Sequence, residues 1–255
     1  MSVTRHPLPG PTRAALEHRE VIEWHDHARH QLIYPSRGVL QVTTGLGAWI
    51  VPPLRAAWIP AGIAHTHQAH GPTVMRTLAF DGAAAPLPPD RPTVLAVSPL
   101  LREIIVSLTS DGALTEAQRA DLERVALDQL RRVEALPLRL PAPADDRLRH
   151  ISDLLAEDPA DQRTLAEFGA AVGASERTLS RLFRDRTGMS FPQWRAQLRL
   201  HHALKLLAAG VPVTATAFAC GYRHSSAFIE AFRHAYGTTP GSYLKARGGV
   251  TDAGG

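Results

Sequence analysis

Six of the chain's 13 histidines fall at positions 25, 27, 30, 65, 67 and 70. Imidazole ligates borderline cations and titrates near neutrality. Such a group therefore points to metal binding, to acid–base chemistry, or to the polar lining of a ligand pocket. His25 and His27 are two apart, so on a strand they face the same way. A second chemistry-bearing set lies far along the chain, where Arg177, Arg181 and Arg184 recur with Ser180 among them. The guanidinium fork matches phosphate oxygens and the O6 and N7 edge of guanine, so these residues point to nucleic acid.

The elements that must carry the arginines are legible from periodicity. Between Ser175 and Arg184, Leu179, Leu182 and Phe183 share one helical face, and the three arginines take the other. Thr164 to Ala174 reads as a preceding short helix that stops at Gly173, which can take the positive φ of a tight turn. With Ser175 as N-cap, the pair is a helix-turn-helix. The pattern recurs from Val213 to Cys220, through Gly221-Tyr222, to a helix over Ser226 to Tyr236 with Phe228, Phe232 and Tyr236 spaced four apart. Opposite those aromatics lie Ser225, Ser226, Ile229 and Glu230. Glu230 suits a cytosine amine and Ile229 a thymine methyl. Arg195, Arg199 and Arg233 read as phosphate contacts. The intervening helix, Phe191 to Ala209, is about 27 Å long by helical rise. It suits two reading helices entering grooves about 34 Å apart.

The histidines fall in a different texture. Short β-branched and aromatic segments are broken by Pro and Gly: Gln31 to Tyr34, Val39 to Thr43, Ala48 to Val51, Ala57 to Ile59 and Val74 to Phe80. They predict a β-barrel or two-sheet jelly roll, with Thr44-Gly45-Leu46-Gly47 as a hairpin turn and Pro52-Pro53 and Pro60-Ala61-Gly62 as corners. Residues 1 to 21 show little periodicity and read as a loose end. Trp24, Tyr34, Trp49 and Trp58 read as core, with Trp49 and Trp58 as candidates to line an effector pocket. Asp81 to Pro92 reads as a loop, Thr93 to Val97 as a last strand, and Pro99 to Leu108 and Thr115 to Leu136 as amphipathic helices. Pro137 to Ala144, with three prolines, is the linker candidate, and Asp145 to Glu157 opens the second half as a helix.

A chain of 255 residues has room for two domains. Arg147 to Arg247 carries 14 Lys and Arg against 8 Asp and Glu, while residues 1 to 146 carry 14 against 15. The basic surplus thus sits in the half with the helix-turn-helix units, as phosphate binding requires. No apolar run of membrane-spanning length and no export signal is evident, and the single Cys220 excludes an internal disulfide, so a soluble cytoplasmic protein is expected.

The run Ser175-x-Arg177-Thr178-Leu179-x-Arg181-Leu182-Phe183, with Gly188-x-Ser190-Phe191, Trp194, Arg199-Leu200, Ala203, Leu206-Leu207, Gly221-Tyr222, Ser226-Ala227-Phe228, Ala231-Phe232-Arg233, Gly237-Thr238-Thr239-Pro240 and Tyr243, resembles the DNA-binding domain of AraC/XylS-type transcription regulators. The resemblance implies base contacts at Arg177, Ser180 and Arg181. Its departures are Gly169 for a helix-favouring alanine, Thr216 for a branched apolar residue, and His224 for serine at the second N-cap.

The first half, with His25-x-His27-x-x-x-Gln31, Gly38 and Pro60-x-Gly62-x-x-His65, is similar to the two motifs of cupins. Gln31 stands where those supply a glutamate. That resemblance implies an effector pocket including His25, His27, Gln31 and His65, or a divalent metal on His25, His27 and His65 with Gln31 or water completing the shell. Catalysis lacks an evident acid or base beside these groups.

Together the resemblances imply a cupin-like effector-binding barrel at 1–97, a helical segment at 98–136 that such regulators use as a dimer interface, a linker at 137–144 and a tandem helix-turn-helix domain at 145–247. The expectation is a regulator that binds double-stranded DNA as a homodimer, answers a small-molecule effector, and contacts RNA polymerase if it is an activator. It looks most like regulators of neighbouring efflux-transporter genes. The alternative is a metal-dependent cupin enzyme with an appended DNA-binding module.

Overall fold

The computed structural model describes the chain except residues 1, 2, 9, 54, 83–85, 88–90, 113, 132–134, 137–138, 142–144 and 249–255. It divides into two compact units, Met1–Arg139 and Leu140–Gly255.

The first unit is built on β1 (Thr4–Arg5), β2 (Thr12–Leu16), β3 (Val21–Asp26), β4 (His30–Thr44), β5 (Gly47–Val51), β6 (Arg55–Ile59), β7 (His65–Phe80) and β8 (Thr93–Ala96). The segments expected as separate strands at Gln31–Tyr34 and Val39–Thr43 are one strand, β4, and Val74–Phe80 is the end of β7. These two strands pair antiparallel along their length, and each is bent. On one side of the bend they are flanked by β3 and β5, on the other by β2 and β6. The result is two half-sheets sharing two long strands, the jelly-roll arrangement expected. At the bend the β4–β7 register slips between Pro35 and Arg37 and again between Arg37 and Val39. Gly38 has φ +76°, and a Cβ there would lie 2.2 Å from Thr73 Oγ1 and 2.6 Å from the Pro72 carbonyl oxygen, so only glycine fits the crossing.

The supposed loose end is part of the fold. β2 runs antiparallel to β7, with Thr12 opposite Thr77, and β1 runs parallel to β3. Arg5 donates twice to the Asp26 carboxylate, at 2.9 and 2.7 Å. Strands of two and five residues carry too little alternation to be read from sequence.

Ser98 caps α1 (Pro99–Leu108) by accepting from the Leu101 amide, and Pro99 suits the first turn. The stripe Leu101, Ile104, Ile105 and Leu108 packs on Leu32, Tyr34, Trp58, Leu78 and Phe80, joined by Ala126 and Leu130 of α2 (Glu116–Arg131). These helices therefore bury their apolar stripes on their own sheet. Buried Arg76 of β7 donates to Thr109 Oγ1 at 2.7 Å and to the Val106 carbonyl at 3.4 Å, placing its charge at the α1 C-terminus. The helix expected to reach Leu136 is described as far as Arg131, and residues 132–134 lie outside the described residues; Ala135–Leu136 form β9, paired with β8, and not helix. Of the predicted linker, Arg139–Pro141 form β10, and residues 137–138 and 142–144 lie outside the described residues.

The second unit is helical: α3 (Asp146–Glu157), α4 (Leu165–Val172), α5 (Glu176–Thr187), α6 (Phe191–Ala208), α7 (Val213–Ala219), α8 (Ser225–Tyr236) and α9 (Pro240–Gly248). Leu148, Ile151, Leu155, Phe168, Leu179, Phe183, Phe191 and Trp194 form the first core. Phe228, Phe232 and Tyr236 of α8 meet in series through edge-on and tilted ring contacts, and Phe232 meets Tyr243 of α9. Gly169 has a steric reason: a Cβ there would sit 2.4 Å from the Ala174 carbonyl oxygen, so alanine would push α5 away from α4. Thr216 is buried and gives its hydroxyl to the Val211 carbonyl at 3.4 Å, which settles the polar group in an apolar position.

Candidate effector chamber and nucleic-acid interface

Between the two half-sheets of the first unit lies a half-open cavity of about 170 Å³, lined by residues that include His25, His27, Gln31, His67, Met75 and Thr77. Alternation delivers the β7 residues, since positions 67, 75 and 77 share one face of that strand. On β3 a register shift between Ile22 and His25 turns both toward the cavity. His27 lies just past β3, fixed by the Gly62 amide, which donates to the His27 carbonyl at 2.9 Å. That bond ties together the two segments that the cupin resemblance singled out. His6, on the N-terminal strand segment, stacks on His25 with ring centres 4.8 Å apart.

Three of the rings are oriented by backbone. Nδ1 of His25 donates to the Glu23 carbonyl at 2.7 Å, Nδ1 of His27 to Arg29 at 2.5 Å, and Nδ1 of His65 to Ile63 at 2.7 Å. A carbonyl only accepts, so the proton is on Nδ1, and Nε2 of a neutral ring is a bare lone pair. Burial holds the pKa of His25 below the ordinary value and that of His65 at about 3; buried His67 also lies well below it. Gln31 Oε1, another acceptor, lies 3.0 Å from His27 Nε2 and 3.1 Å from His65 Nε2. Acceptors thus converge with no proton between them. Two arrangements complete that geometry: a cation, or the amide turned over to give one N–H to each ring.

The structure brings His25, His27, Gln31 and His65 together, as the cupin resemblance implied. It adds His67 and His6. His67 is two residues after His65 on the same strand, and the alternation that paired His25 with His27 also reaches it. His6 has no sequence signal.

Trp49 and Trp58 do not line the cavity. Trp58 pairs with Leu32, the neighbour of Gln31, and so faces the opposite side of the sheet, in the core under α1. Trp49 is buried opposite Val42, one strand beyond His67.

In the second unit the helix-turn-helix geometry is made by caps and left-handed glycines. Thr164 and Glu167 form a capping box at α4, Gly173 stops it at φ +65°, and Ser175 accepts from the Thr178 amide to start α5. Leu179 and Phe183 are buried. Arg177, Arg181 and Arg184 are exposed, and with Ser180, Thr178 and Asp185 they line a surface concavity of about 510 Å³. On α8, Ser226, Glu230 and Arg233 are exposed, while Ser225 and Ile229 are half-buried. The α8 N-cap, His224, makes no side-chain cap bond, unlike Ser175.

Arg195 and Arg199, expected to meet phosphates, are turned inward. Arg199 donates to the Pro159 and Asp161 carbonyls at 2.9 and 3.0 Å, and Arg195 to the Arg163 carbonyl at 2.7 Å while lying 4.8 Å from the Phe191 ring centre. Their spacing on α6 aims both at the loop between α3 and α4, which helical phase alone does not reveal. No helix among the described residues is long and apolar enough to cross a membrane.

Comparison with known proteins finds a ligand-binding part followed by a helix-turn-helix part. A family model described as an AraC-like ligand binding domain matches residues 12–167, and one described as a helix-turn-helix domain matches residues 168–246. The HTH-type transcriptional regulator NimR of Escherichia coli (strain K12) is 35% identical over 225 residues, covering 86% of this chain and 81% of NimR. The HTH-type transcriptional regulator RipA of Corynebacterium glutamicum is 38% identical over 114 residues, 45% of this chain and 34% of RipA. Fatty acid-bound ToxT from Vibrio cholerae strain SCE256 covers 95% of this chain and 96% of its own, at 13% identity and a TM-score of 0.41. Matched by a ligand-binding model and then a helix-turn-helix model, and aligned with NimR over most of both lengths, the chain belongs to the AraC family of transcriptional regulators.

Proposed function

We propose that the chain reads a specific duplex through α5 and α8 and that occupancy of the histidine chamber by a small polar effector changes its DNA affinity or its contact with RNA polymerase. The observation that carries this is the pairing, in one chain, of a cavity lined by inward-facing imidazoles with a helix presenting three exposed arginines. Arg177, Ser180 and Arg181 read bases, and Arg184 and Arg233 take phosphates. Ser225, Ser226, Ile229 and Glu230 form a second reading face, which the Glu230 charge weakens near phosphate.

β7 supports a route for the signal. Met75 and Thr77 line the chamber, and Arg76 between them holds the α1 C-terminus. We assign residues 1–97 to effector binding, 98–136 to dimerisation, 137–144 to the linker and 145–247 to DNA binding. With the helical stripes buried, the second copy of a homodimer meets the outward side of α1, where Leu100 is 52% exposed. The protein acts in the cytoplasm, without turnover, on a target that includes a neighbouring efflux-transporter gene.

Footprinting on DNA upstream of its own and adjacent genes, with and without candidate effectors, tests the reading. A defined protected site that changes with one compound supports it. Uniform, salt-sensitive binding with every compound refutes it.

A further inference from the structure

The chamber contains two imidazoles that its motif does not name, His6 and His67. His67 is buried on β7, and among the described residues neither of its ring nitrogens has a hydrogen-bond partner. Burying a polar group unpaired is costly, so such a ring calls for a partner from outside the chain. Its neighbours are His25 and His65, with ring centres 5.4 and 4.9 Å away, and those two are 4.3 Å from each other. Nδ1 of both neighbours is tied to a carbonyl, so Nε2 is the nitrogen each can offer; that of His65 also lies 3.1 Å from Gln31 Oε1. One nitrogen from each of the three rings lies within 4.8 Å of the others.

Resting on the reading of this chamber as the effector site, we propose that His25, His65 and His67 hold a divalent late transition cation. His67 takes the ligand position that Gln31, lacking a carboxylate, does not fill. A metal-bound nitrogen sits about 2.0–2.1 Å from zinc, and three histidines plus one exogenous ligand make a four-coordinate site. The Nδ1-to-carbonyl bonds on His25 and His65 are the outer contacts that orient ligating histidines. The donor set chooses the class of ion. Imidazole suits Zn²⁺, Ni²⁺ and Cu²⁺, whereas Mg²⁺ and Ca²⁺ require oxygen donors, and no carboxylate belongs to this cluster among the described residues. His27, which a motif reading would nominate, does not belong to this cluster among the described residues: its ring centre is 6.2 Å from that of His25, and its Nε2 lies 3.0 Å from Gln31 Oε1.

The test uses the full chain stripped with chelator and titrated with Zn²⁺ and with Co²⁺, following stoichiometry by calorimetry and the visible ligand-field bands of Co²⁺. One ion per chain is expected, with no response to Mg²⁺. Outer contacts are worth about 10–100-fold in metal affinity, so losing a ligand through His67→Ala should weaken binding by about 100-fold or more, and His27→Ala by about tenfold at most. His67→Gln fills the same space without an imidazole and should match His67→Ala, which separates ligand loss from misfolding; far-ultraviolet circular dichroism and urea midpoints report the fold.

Absence of stoichiometric binding by the wild type, wild-type affinity in both His67 variants, or equal losses at His27 and His67 would overturn the site. The footprint separates this proposal from the broader one. An effector-dependent footprint in protein that takes up no metal keeps the regulator and removes the ion. A bound ion that leaves the footprint unchanged keeps the site but removes the ion as effector.

Discussion

Gln162 and Gly221, 59 positions apart, meet directly: the Gln162 side-chain amide donates to the Gly221 carbonyl at 3.0 Å. Arg199 from α6 reaches the same place through the Pro159 and Asp161 carbonyls. The loop between α3 and α4, the connecting helix and the turn of the second helix-turn-helix are thus clasped at one point. That clasp sets how α5 and α8 stand relative to each other.

Gly221 has φ +76°, and a Cβ there would lie 2.8 Å from Arg199 Nη2 and Gln162 Nε2 and 2.9 Å from Ala160 Cα. The left-handed conformation alone costs an alanine about 1–2 kcal/mol, and the close contacts displace the clasp. Gly221→Ala is expected to lower stability by about 2–3 kcal/mol, read from the urea midpoint. It should weaken binding to a full operator more than binding to a half-site that contacts α5 alone. Equal losses on both duplexes would show that the clasp does not set the spacing.

The arginines divide by what they face. Arg181→Ala should cost about 1–3 kcal/mol of discrimination, roughly 5- to 150-fold, on the chosen duplex and much less on random DNA. Arg184→Ala should reduce the slope of log affinity against log salt by about 1. Arg199→Ala should leave that slope unchanged while lowering the urea midpoint, because its donors are spent on carbonyls. A reduced slope for Arg199→Ala would return it to the phosphate contacts.

Gly38→Ala tests the bend that forms the chamber. The obstructing atoms include the Pro72 carbonyl oxygen and Thr73 Cα at 2.6 and 2.7 Å, so the backbone itself must yield. A loss of about 3 kcal/mol or more is expected. In a Trp194→Phe background, leaving Trp24, Trp49 and Trp58 as reporters of the first unit, the fluorescence melting curve should move to lower temperature. An unmoved curve would mean that the bend has slack.

Cys220 is buried, and burial raises its thiol pKa to about 12. The thiolate is the nucleophile, so folded protein at pH 8 should resist iodoacetamide, and urea should expose one reactive thiol per chain, counted by mass spectrometry. Rapid labelling without urea would place this turn at the surface.

Much of the second unit was legible because its information is local. Amphipathic period, the Ser175 cap, the stop at Gly173 and the outward phase of Arg177, Arg181 and Arg184 all follow from residues within a few turns of one another. The inward turn of Arg195 and Arg199 was not legible, because their partners lie more than 30 positions away on backbone carbonyls that carry no side-chain signature. For the same reason Gly169 looked like a weak helix residue until the Ala174 carbonyl was seen against it.

In the first unit the texture of short β-branched and aromatic segments pointed to a β-rich fold, and the resemblance to cupin motifs implied the convergence of His25, His27, Gln31 and His65. Which other residues share that space was decided by folding in three dimensions. Strand register, set by slips at Pro35–Val39 and Ile22–His25, chooses the face each side chain takes. It sent Trp58 under α1, turned His67 inward and brought His6 from an apparently featureless end onto His25. A one-residue slip reverses every side chain beyond it, and slips are determined by packing between distant strands rather than by the residues that undergo them.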